Sequence, residues 1–420
     1  MIAINILKRY IPLRVKIRAK VLLYDMFFYR PALYEYKKLP RQNFVRIKSV
    51  QKNIHVLLIM PHLLYGGVES LTYNVISQLD KKKYTIFIAC TNREGEQFQK
   101  FKEVLNGRVY DLSKINKNLL KQREYLEKLI REKRIDIVHL SNNEPYYFIT
   151  PFLTRLVKPP LIINWLHCDE LYFDVHRLGY KRFSSFIDAT IVVNNNMKKF
   201  LVNKEHIPSK RVVTITNGVD PEIFNPKKFT RKNIKKKLNI STDLKVVAYI
   251  ARLASEKLPL EYIHVASDIF SRYKKVIFLV IGEGYYKKSM IDLAKKEGLE
   301  KNIFFLASDS DIAEILSCVD ILISTSISEG FGMSVAEAMA MKVAVIAYEC
   351  GGVSELVNHE INGYLAEPYS SEKLADYAIK LLTDKKLQAK MGKQARDNII
   401  KNYTIKQTVR KISKLYNTII

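Results

Sequence analysis

The hydrophobic positions of this 420-residue chain fall into short apolar runs separated by amphipathic stretches. Asn53–Met60, NIHVLLIM, is one such run, and a Gly-Gly turn and a helical stretch to about Leu79 follow it. Runs of this kind are typical of strands buried on both faces of a parallel sheet. The same pattern predicts ten further strands, at Tyr84–Cys90, Ile135–Leu140, Leu161–His167, Ala189–Asn194, Val212–Thr216, Lys245–Ala251, Val276–Ile281, Asn302–Leu306, Asp320–Ser324 and Val343–Ala347.

Helical stretches between these runs complete an alternating pattern that predicts an α/β protein with two tandem, Rossmann-like, doubly wound domains. Asn217–Pro226, with one glycine and two prolines, is the predicted linker. We expect an N-terminal domain at residues 53–220, with residues 404–420 packing back onto it, and a C-terminal domain at residues 221–403. Open α/β sheets bind ligands beyond the carboxyl ends of their strands, so the two domains are expected to face a central, ligand-binding cleft.

The later helices are expected near Leu258–Arg272, Tyr285–Lys296, Gly332–Ala340, Ser371–Leu382, Lys385–Asn402 and Thr404–Tyr416. Composition adds little to this picture, because 48% hydrophobic and 26% charged residues are ordinary for a globular protein. The charge adds more. Lys and Arg number 69 against 42 Asp and Glu, a net charge of +27, which favours polyanionic partners such as nucleic acid, an acidic membrane surface or phosphorylated substrates.

Cysteines and apolar segments bear on location. The four cysteines are far apart and form no C-x-x-C pair, so their spacing predicts no zinc site. Four thiols in a chain of this length also suit a reducing cytoplasm. The sequence has no stretch of 18 apolar residues, so no membrane-spanning helix is predicted. Basic residues interrupt the first apolar segment, so a cleaved secretory signal is not expected. We therefore expect a cytoplasmic protein.

Residues 1–52 form a basic extension with 13 Lys and Arg and only two acidic residues, Asp25 and Glu35. Drawn as a helix, the extension places five apolar residues on one face, namely Leu13, Ile17, Val21, Tyr24 and Phe28. This pattern fits a helix lying on an anionic membrane, at the inner face of the cell membrane, and it fits equally a helix docked on the protein's own surface.

The strongest candidate for chemistry is Ser328–Glu337, SEGFGMSVAE, between a predicted strand and a predicted helix. The amides of Phe331, Gly332, Met333 and Ser334 would lie at the helix N-terminus, and such an end binds phosphate. Glu337, one turn into the helix, could accept hydrogen bonds from a ribose, and Glu329 on the preceding loop could accept them from sugar hydroxyls. The alternative is an ordinary turn carrying two surface glutamates.

With these motifs the sequence resembles the retaining glycosyltransferases of the GT-B fold, family 4, also called group 1. The resemblance covers roughly residues 53–420, is strongest over 245–365 and excludes residues 1–52. Its motifs, in family order, are Gly66-Gly67-Val68-Glu69, His167 at the end of LIINWLH, Asn217-Gly218-Val219-Asp220, Arg252 and Lys257 in ARLASEK, Ile281-Gly282-Glu283-Gly284, Glu329 with Glu337, Gly351-Gly352, and Asn362-Gly363-Tyr364.

The resemblance implies a retaining transferase that takes a sugar from a UDP- or GDP-sugar and needs no metal. Arg252 and Lys257 would stabilise the departing diphosphate, helped by the amides of Gly66 and Gly67. His167 would contact the donor sugar or position the acceptor, and Glu329 would contact the sugar. The implied acceptor is a lipid-linked or cell-surface glycan, used by an enzyme that is peripheral on the inner membrane face.

The chain departs from the family at three positions. Ala251 and Leu258 replace glycines on either side of the basic pair, and Ala307 stands where a glycine often follows the third strand of the second domain. The first two substitutions make the phosphate loop less permissive, and the third leaves the choice of base open.

A metal site is not expected. Asp309-Ser310-Asp311 fits the D-x-D pattern of metal-dependent glycosyltransferases, but it precedes a predicted helix, where Asp is a common N-cap. Two alternative functions stay open: a basic membrane- or nucleic-acid-binding protein with a degenerate α/β core, and a related enzyme of the same fold, such as a nucleotide-sugar epimerase or a phosphorylase. No nucleic-acid-binding pattern is visible, so nucleic acid is not an expected partner. The sugar, the base, the acceptor and the oligomeric state are not determined by these patterns.

Overall fold

A computed structural model of the chain describes residues 53–64, 66–93, 95, 97–115, 119–141, 149–154, 156, 159–169, 177–307 and 310–420. The prediction for residues 1–52 therefore lies outside the described residues. The chain divides into two compact units. The first extends to Ile215 and includes Lys411–Ile420, and the second is Thr216–Arg410.

The first unit contains a seven-stranded, entirely parallel sheet with the strand order β3-β2-β1-β4-β5-β6-β7. Its strands are β1 Ile54–His62, β2 Tyr84–Arg93, β3 Val109–Asp111, β4 Ile137–Ser141, β5 Leu161–Leu166, β6 Ala189–Val192 and β7 Val212–Thr214. Its helices are α1 Gly67–Gln78, α2 Phe98–Val104, α3 Leu119–Glu132, α4 Thr150–Leu153, α5 Arg177–Phe183 and α6 Asn195–Asn203.

The second unit contains a six-stranded parallel sheet with the order β10-β9-β8-β11-β12-β13. Its strands are β8 Lys245–Ile250, β9 Val276–Ile281, β10 Ile303–Leu306, β11 Ile321–Ser324, β12 Ala344–Tyr348 and β13 Tyr364–Ala366. Its helices are α7 Arg231–Lys237, α8 Pro259–Arg272, α9 Lys287–Lys296, α10 Ile312–Leu316, α11 Met333–Ala340, α12 Val353–Leu356, α13 Ser371–Thr383 and α14 Lys385–Asn402. Helix α15, Ile405–Ile419, begins in this unit and ends in the first.

Both sheets are buried on both faces, as their continuous apolar strands predict. Every residue of β9 is buried, for example, and so is every residue of β4. The predicted α/β class is confirmed, and each of the eleven predicted strands is present with its ends shifted by at most three residues. The pattern missed β3 and β13, which have three residues each and are too short to show a period.

The strand orders fix where a ligand can bind. In each sheet the chain reverses its direction of travel once, between β1 and β4 in the first and between β8 and β11 in the second. At such a switch point the connections that leave the two neighbouring strands pass to opposite faces of the sheet. This opens a crevice beyond the carboxyl ends of the two strands. Residues that follow β8 and β11 are therefore the first candidates in the second unit.

Candidate active site

The loop after β8 carries both predicted cations of the second unit. Arg252 is exposed, and its Nη2 atom lies 3.0 Å from Oε1 of Glu256, whose side chain is buried. Lys257 ends a short 3-10 turn at Ser255–Lys257, and its carbonyl accepts hydrogen bonds from the hydroxyls of Tyr249 at 3.0 Å and Thr325 at 2.8 Å. These two donors come from β8 and from the residue after β11, so the switch point itself fixes the backbone of Lys257.

Lys257 and Glu329 meet at this switch point. The Nζ atom of Lys257 is 2.7 Å from Oε1 of Glu329 and donates a hydrogen bond to the carbonyl of Ser328 at 3.0 Å. Their side chains are only 12% and 17% exposed, so the pair is shielded from solvent and its charges are weakly screened. Ser326 donates a further hydrogen bond to the same Glu329 oxygen at 3.0 Å.

The backbone around Glu329 is held from the other side by a glycine. Gly352 donates its amide hydrogen to the Glu329 carbonyl at 2.9 Å. A Cβ atom on Gly352 would overlap the carbonyl of Gly330 and would lie 2.7 Å from the Cα atom of Phe331. Gly352, which the sequence resemblance included among its motifs, thus permits the close approach that places the Glu329 loop.

Helix α11 begins directly after this loop, as expected. Gly332 is its N-cap, with a φ of 91° that favours glycine, and the first helical hydrogen bond runs from Ala336 to Gly332 at 3.0 Å. The amides of Met333 and Ser334 therefore belong to the first turn, whose N–H groups have no partner inside a helix. The Phe331 side chain is buried and packs edge-on against Tyr403, with 5.7 Å between the ring centroids, so this residue anchors the turn.

Glu337 lies one turn into α11, and its Cα–Cβ bond points toward the helix N-terminus, as in every α-helix. The part of the chain that the structure describes gives its carboxyl group no hydrogen bond or ion pair, and burial raises its pKa to about 8. A carboxyl group placed in this way can exchange hydrogen bonds with the hydroxyls of a ligand.

The Gly-x-Gly motif after β9 supports the Arg252 loop. A Cβ atom on Gly282 would overlap the Ala251 carbonyl, and one on Gly284 would overlap the Leu253 carbonyl. The amide of Leu253 donates to the carbonyl of Glu283 at 2.9 Å, which joins the two loops. These glycines permit loop-to-loop packing, and Ala251 is accommodated although the resemblance expects glycine there.

The predicted residues of the first unit lie at the carboxyl edge of its own sheet. Gly66 is the N-cap of α1, and Gly67 is its first residue. The carboxylate of Glu69, in the first turn of α1, is 3.1 Å from Nδ1 of His62 at the end of β1 and is almost completely buried. A Cβ atom on Gly66 would overlap this carboxylate, so Gly66 leaves room for the His62–Glu69 pair.

His167 immediately follows β5. Its Nε2 atom lies 3.3 Å from Oγ of Ser141, the last residue of β4, and its ring centroid is 4.5 Å from that of Trp165. Burial, with a contribution from His139, lowers the pKa of His167 to about 3, so this imidazole is neutral at physiological pH. A neutral imidazole can donate or accept a hydrogen bond but supplies no fixed positive charge.

The sequence patterns did not identify two residues of this site, Glu256 and Ser326. Glu256 holds Arg252 and, through its carbonyl, accepts the amide hydrogen of Ile327 at 3.0 Å. The spacing of four residues between Arg252 and Glu256 was the signal in the sequence. Ser326 gave no signal, because its role depends on the path of the loop that carries Glu329.

The described residues contain no group of three or more His, Cys, Asp or Glu side chains that could hold a metal ion. Asp311 caps α10, accepting the amide hydrogen of Glu314 at 3.0 Å, as predicted, while Asp309 lies outside the described residues. Among the helices of the described residues, none combines the length and the apolar character needed to cross a bilayer.

Comparisons with known families and proteins show what the chain is similar to. Residues 230–398 match the family described as "Glycosyl transferases group 1", and residues 65–223 match "Glycosyltransferase Family 4". The N-acetyl-alpha-D-glucosaminyl L-malate synthase of Bacillus anthracis is 28% identical over 69% of this chain and 77% of its own. The UDP-Gal:alpha-D-GlcNAc-diphosphoundecaprenol alpha-1,3-galactosyltransferase of Escherichia coli is 23% identical over 88% of this chain and 98% of its own.

Solved structures show the same fold. A glycosyltransferase from Rickettsia africae superposes with a TM-score of 0.72 at 24% identity and covers 87% of this chain and 99% of its own. Anabaena HepE, solved in complex with UDP and glucose, has a TM-score of 0.73 at 18% identity, with coverage of 87% and 100%. The two family matches together cover most of the chain, one mainly in the first unit and the other within the second. The chain belongs to the group 1 glycosyltransferases of the GT-B fold.

Proposed function

We propose that this glycosyltransferase moves a sugar from a UDP-sugar, or alternatively a GDP-sugar, to a lipid-linked or cell-surface glycan, with retention of configuration and without a metal ion. The shielded Lys257–Glu329 pair, one turn from the N-terminus of α11, is the observation that carries the proposal. It places a cation and a carboxylate at the switch point where a doubly wound sheet binds its ligand.

Most residues of the donor half of the proposal belong to the second unit, and the amides of Gly66 and Gly67 stay predicted contacts of the diphosphate. Arg252, Lys257 and the first amides of α11 would hold the diphosphate, because each offers a donor or positive charge to a phosphate oxygen. Glu337 would accept hydrogen bonds from the ribose, and Glu329 would contact the sugar. The UDP alternative has support from relatives: the E. coli enzyme is named for UDP-Gal, and the HepE structure holds UDP.

The proposed reaction proceeds on one face of the sugar. The bond between C1 and the diphosphate oxygen breaks, and its electron pair stays on the phosphate. The acceptor oxygen forms the new bond to C1 from the same face, and its proton passes to the departing phosphate. Arg252 and Lys257 stabilise the charge that develops on that phosphate. His167, which is neutral, would orient the acceptor or the donor sugar by a hydrogen bond.

The acceptor half of the proposal draws on the names of relatives. The E. coli enzyme acts, by its name, on a sugar-diphosphoundecaprenol, and a Staphylococcus aureus relative, 27% identical, is named a poly(ribitol-phosphate) alpha-N-acetylglucosaminyltransferase. An anionic, surface-bound acceptor also suits a chain with a net charge of +27.

A panel of nucleotide sugars tests the proposal. The full-length protein is incubated with UDP-N-acetylglucosamine, UDP-galactose, UDP-glucose and GDP-mannose, and the released nucleotide is measured with and without a sugar-diphospholipid acceptor. We expect release from one or more donors, faster with acceptor, and an α-linked product from an α-linked donor. A β-linked product would overturn retention, and no release from any donor would overturn the nucleotide-sugar proposal.

We also propose that residues 1–52 help to hold the enzyme on an anionic membrane. Their composition supports this, since each basic residue near such a surface contributes about 1 kcal/mol and the apolar face adds burial. Full-length protein should float with anionic vesicles and less with neutral ones, and a chain that begins at Asn53 should float less. Equal flotation of both chains would show that residues 1–52 are not the membrane contact.

A further inference from the structure

His139, Trp165 and His167 lie on the same side of the first sheet. Side chains alternate between the two faces of a strand, and Val138 and Leu140 of β4 and Leu166 of β5 belong to one apolar core. His139 and Trp165 alternate with these residues and therefore point to the opposite face. Because Ser141 pairs with Trp165 in the parallel register, His139 is the diagonal neighbour of Trp165, within reach of an aromatic ring.

The rings of these residues form a continuous column. His139 stacks on Trp165, with 5.3 Å between the ring centroids and 29° between the planes. Trp165 in turn contacts His167, with 4.5 Å between the centroids. At the far end, Tyr416 from α15 meets His139 edge-on at 5.9 Å, and its hydroxyl lies 2.7 Å from Nδ1 of His139. The column thus runs from the C-terminal helix to the carboxyl edge of the sheet.

The hydrogen bond at the far end joins two neutral groups. Burial raises the pKa of Tyr416, so its hydroxyl keeps its proton. Burial lowers the pKa of His139 to about 3, so the imidazole is neutral as well. Tyr416 is the hydrogen-bond partner of His139 among the residues that the structure describes. The hydrogen bond between them therefore holds the orientation of the His139 ring, and the tautomer of His139 sets which group donates.

We propose that Tyr416 is a positioning residue for His167, acting through the stacked rings of His139 and Trp165. This inference rests on the proposed role of His167. Trp165 is nearly completely buried, and in the described part of the chain its Nε1 atom has no hydrogen-bond partner. Packing against the two histidines therefore fixes the indole plane. A fixed indole plane in turn fixes the side of the His167 ring that it covers, while Nε2 of His167 lies 3.3 Å from Oγ of Ser141.

Tyr416→Phe tests this inference, because it removes the hydroxyl and keeps the ring. The matched control is Tyr84→Phe, since the Tyr84 hydroxyl holds the same helix, 3.0 Å from Oδ1 of Asn417 and 3.3 Å from the Ser413 carbonyl. The substitution keeps the Tyr84 ring, which meets the Tyr416 ring edge-on at 5.7 Å. Nucleotide release is measured with UDP-N-acetylglucosamine, UDP-galactose and UDP-glucose. Trp165 is the only tryptophan of the chain, so its emission spectrum reports the column directly.

We expect Tyr416→Phe to lower kcat about tenfold while KM for the nucleotide sugar stays within about twofold, because only the group at the reacting sugar is misplaced. The emission of Trp165 should change in this variant and stay as in the native protein in Tyr84→Phe. His139→Phe, which keeps a ring against Trp165 but removes the nitrogen that bonds to Tyr416, should lower kcat likewise and serves if Tyr416→Phe does not fold.

Native kcat and native emission in Tyr416→Phe or in His139→Phe would overturn the inference. Equal losses in Tyr416→Phe and Tyr84→Phe would overturn it as well, because they would trace the effect to helix anchoring. His167→Ala separates this result from the proposed function. If His167→Ala lowers kcat while Tyr416→Phe and His139→Phe keep native kcat, the positioning role of Tyr416 is overturned and the proposed role of His167 stands. If His167→Ala keeps native kcat, both the proposed role of His167 and the positioning role of Tyr416 are overturned. If no donor is consumed, the comparison of emission spectra decides.

Discussion

The ammonium group of Lys257 lies 2.7 Å from the carboxylate of Glu329, although 71 residues of chain separate the two. The strand order explains the meeting: β8 and β11 are neighbours, and each residue lies on the loop that follows its strand. Both side chains are mostly buried, so neither charge would be well solvated without the other. Lys257 is therefore held at the switch point, where the proposed function places the leaving phosphate.

Lys257→Ala should lower kcat by about 100- to 1000-fold, because a fixed positive charge at the leaving group is lost from a shielded site. The measurement is nucleotide release from the preferred donor at saturation. Lys236→Ala, which removes the same charge from an exposed position on α7, is the matched control and should keep native kcat. Equal kcat in the two variants would remove Lys257 from the reaction.

Much of this arrangement could be predicted from the sequence. The apolar runs located every strand long enough to show a pattern, and the Glu329–Glu337 spacing located the loop and helix of the proposed donor site. Leu161–Leu166 and its following histidine were likewise predictable, because a strand that ends in a polar residue places that residue at the sheet edge.

The features of the site that the sequence did not predict depend on tertiary contacts. Phe331 was predicted as a donor-site residue through its amide, but the burial of its ring against Tyr403 could not be read from local sequence. The raised pKa of Glu337 follows from burial that only the packed unit creates. The stack of His139 on Trp165 depends on the register of two strands, which a periodic pattern does not specify.

Binding of a UDP-sugar should strengthen as the pH rises from 6 to about 8 and then level off. Glu337 has a pKa of about 8, so below that pH it is mostly protonated, and hydrogen bonds donated by ribose hydroxyls favour its charged form. Binding thus releases a proton, and lower pH opposes it. Calorimetry over this range in full-length protein gives the affinity, and the diphosphate diester of a UDP-sugar does not itself titrate there.

Glu337→Gln supplies the control for this pH dependence. The variant should bind the UDP-sugar more weakly at pH 8, by about 1.5–3 kcal/mol, and its affinity should not change between pH 6 and 8. Stability should show the opposite trend. A carboxyl group whose pKa is raised by folding loses its stabilising contribution as the pH rises toward 8. Over that rise in pH, the free energy of unfolding of the native protein should therefore fall relative to that of Glu337→Gln. A Glu337→Gln variant with the native pH profile would contradict both expectations.

Chelation of metal ions should leave transfer intact. If Arg252 and Lys257 supply the charge at the diphosphate, kcat after dialysis against EDTA should match kcat in added Mn²⁺ within about twofold. Asp311→Ala is the companion variant: it should lower stability by about 1 kcal/mol through loss of the α10 N-cap and leave kcat unchanged. Activity that disappears with EDTA and returns with Mn²⁺ would assign the phosphate charge to a metal.

The backbone of Leu258 has a φ of 43° and a ψ of 56°, the left-handed conformation that glycine adopts most easily. The resemblance expects glycine at this position, and this chain has a leucine there in a backbone conformation that favours glycine. Leu258 is half-buried and packs against the apolar core of the second unit. Its side chain therefore contributes apolar contacts that offset part of the backbone strain.

Leu258→Gly should be more stable than Leu258→Ala by about 1 kcal/mol, although both lose the same leucine contacts. The reason is that alanine keeps a Cβ atom in the left-handed region, whereas glycine has none. The midpoints of urea unfolding of the two variants give the comparison. Lys390 offers the matched control, since it is exposed within α14, where alanine should instead be more stable than glycine by about 1 kcal/mol. The same order of alanine and glycine at both positions would show that Leu258 is not strained.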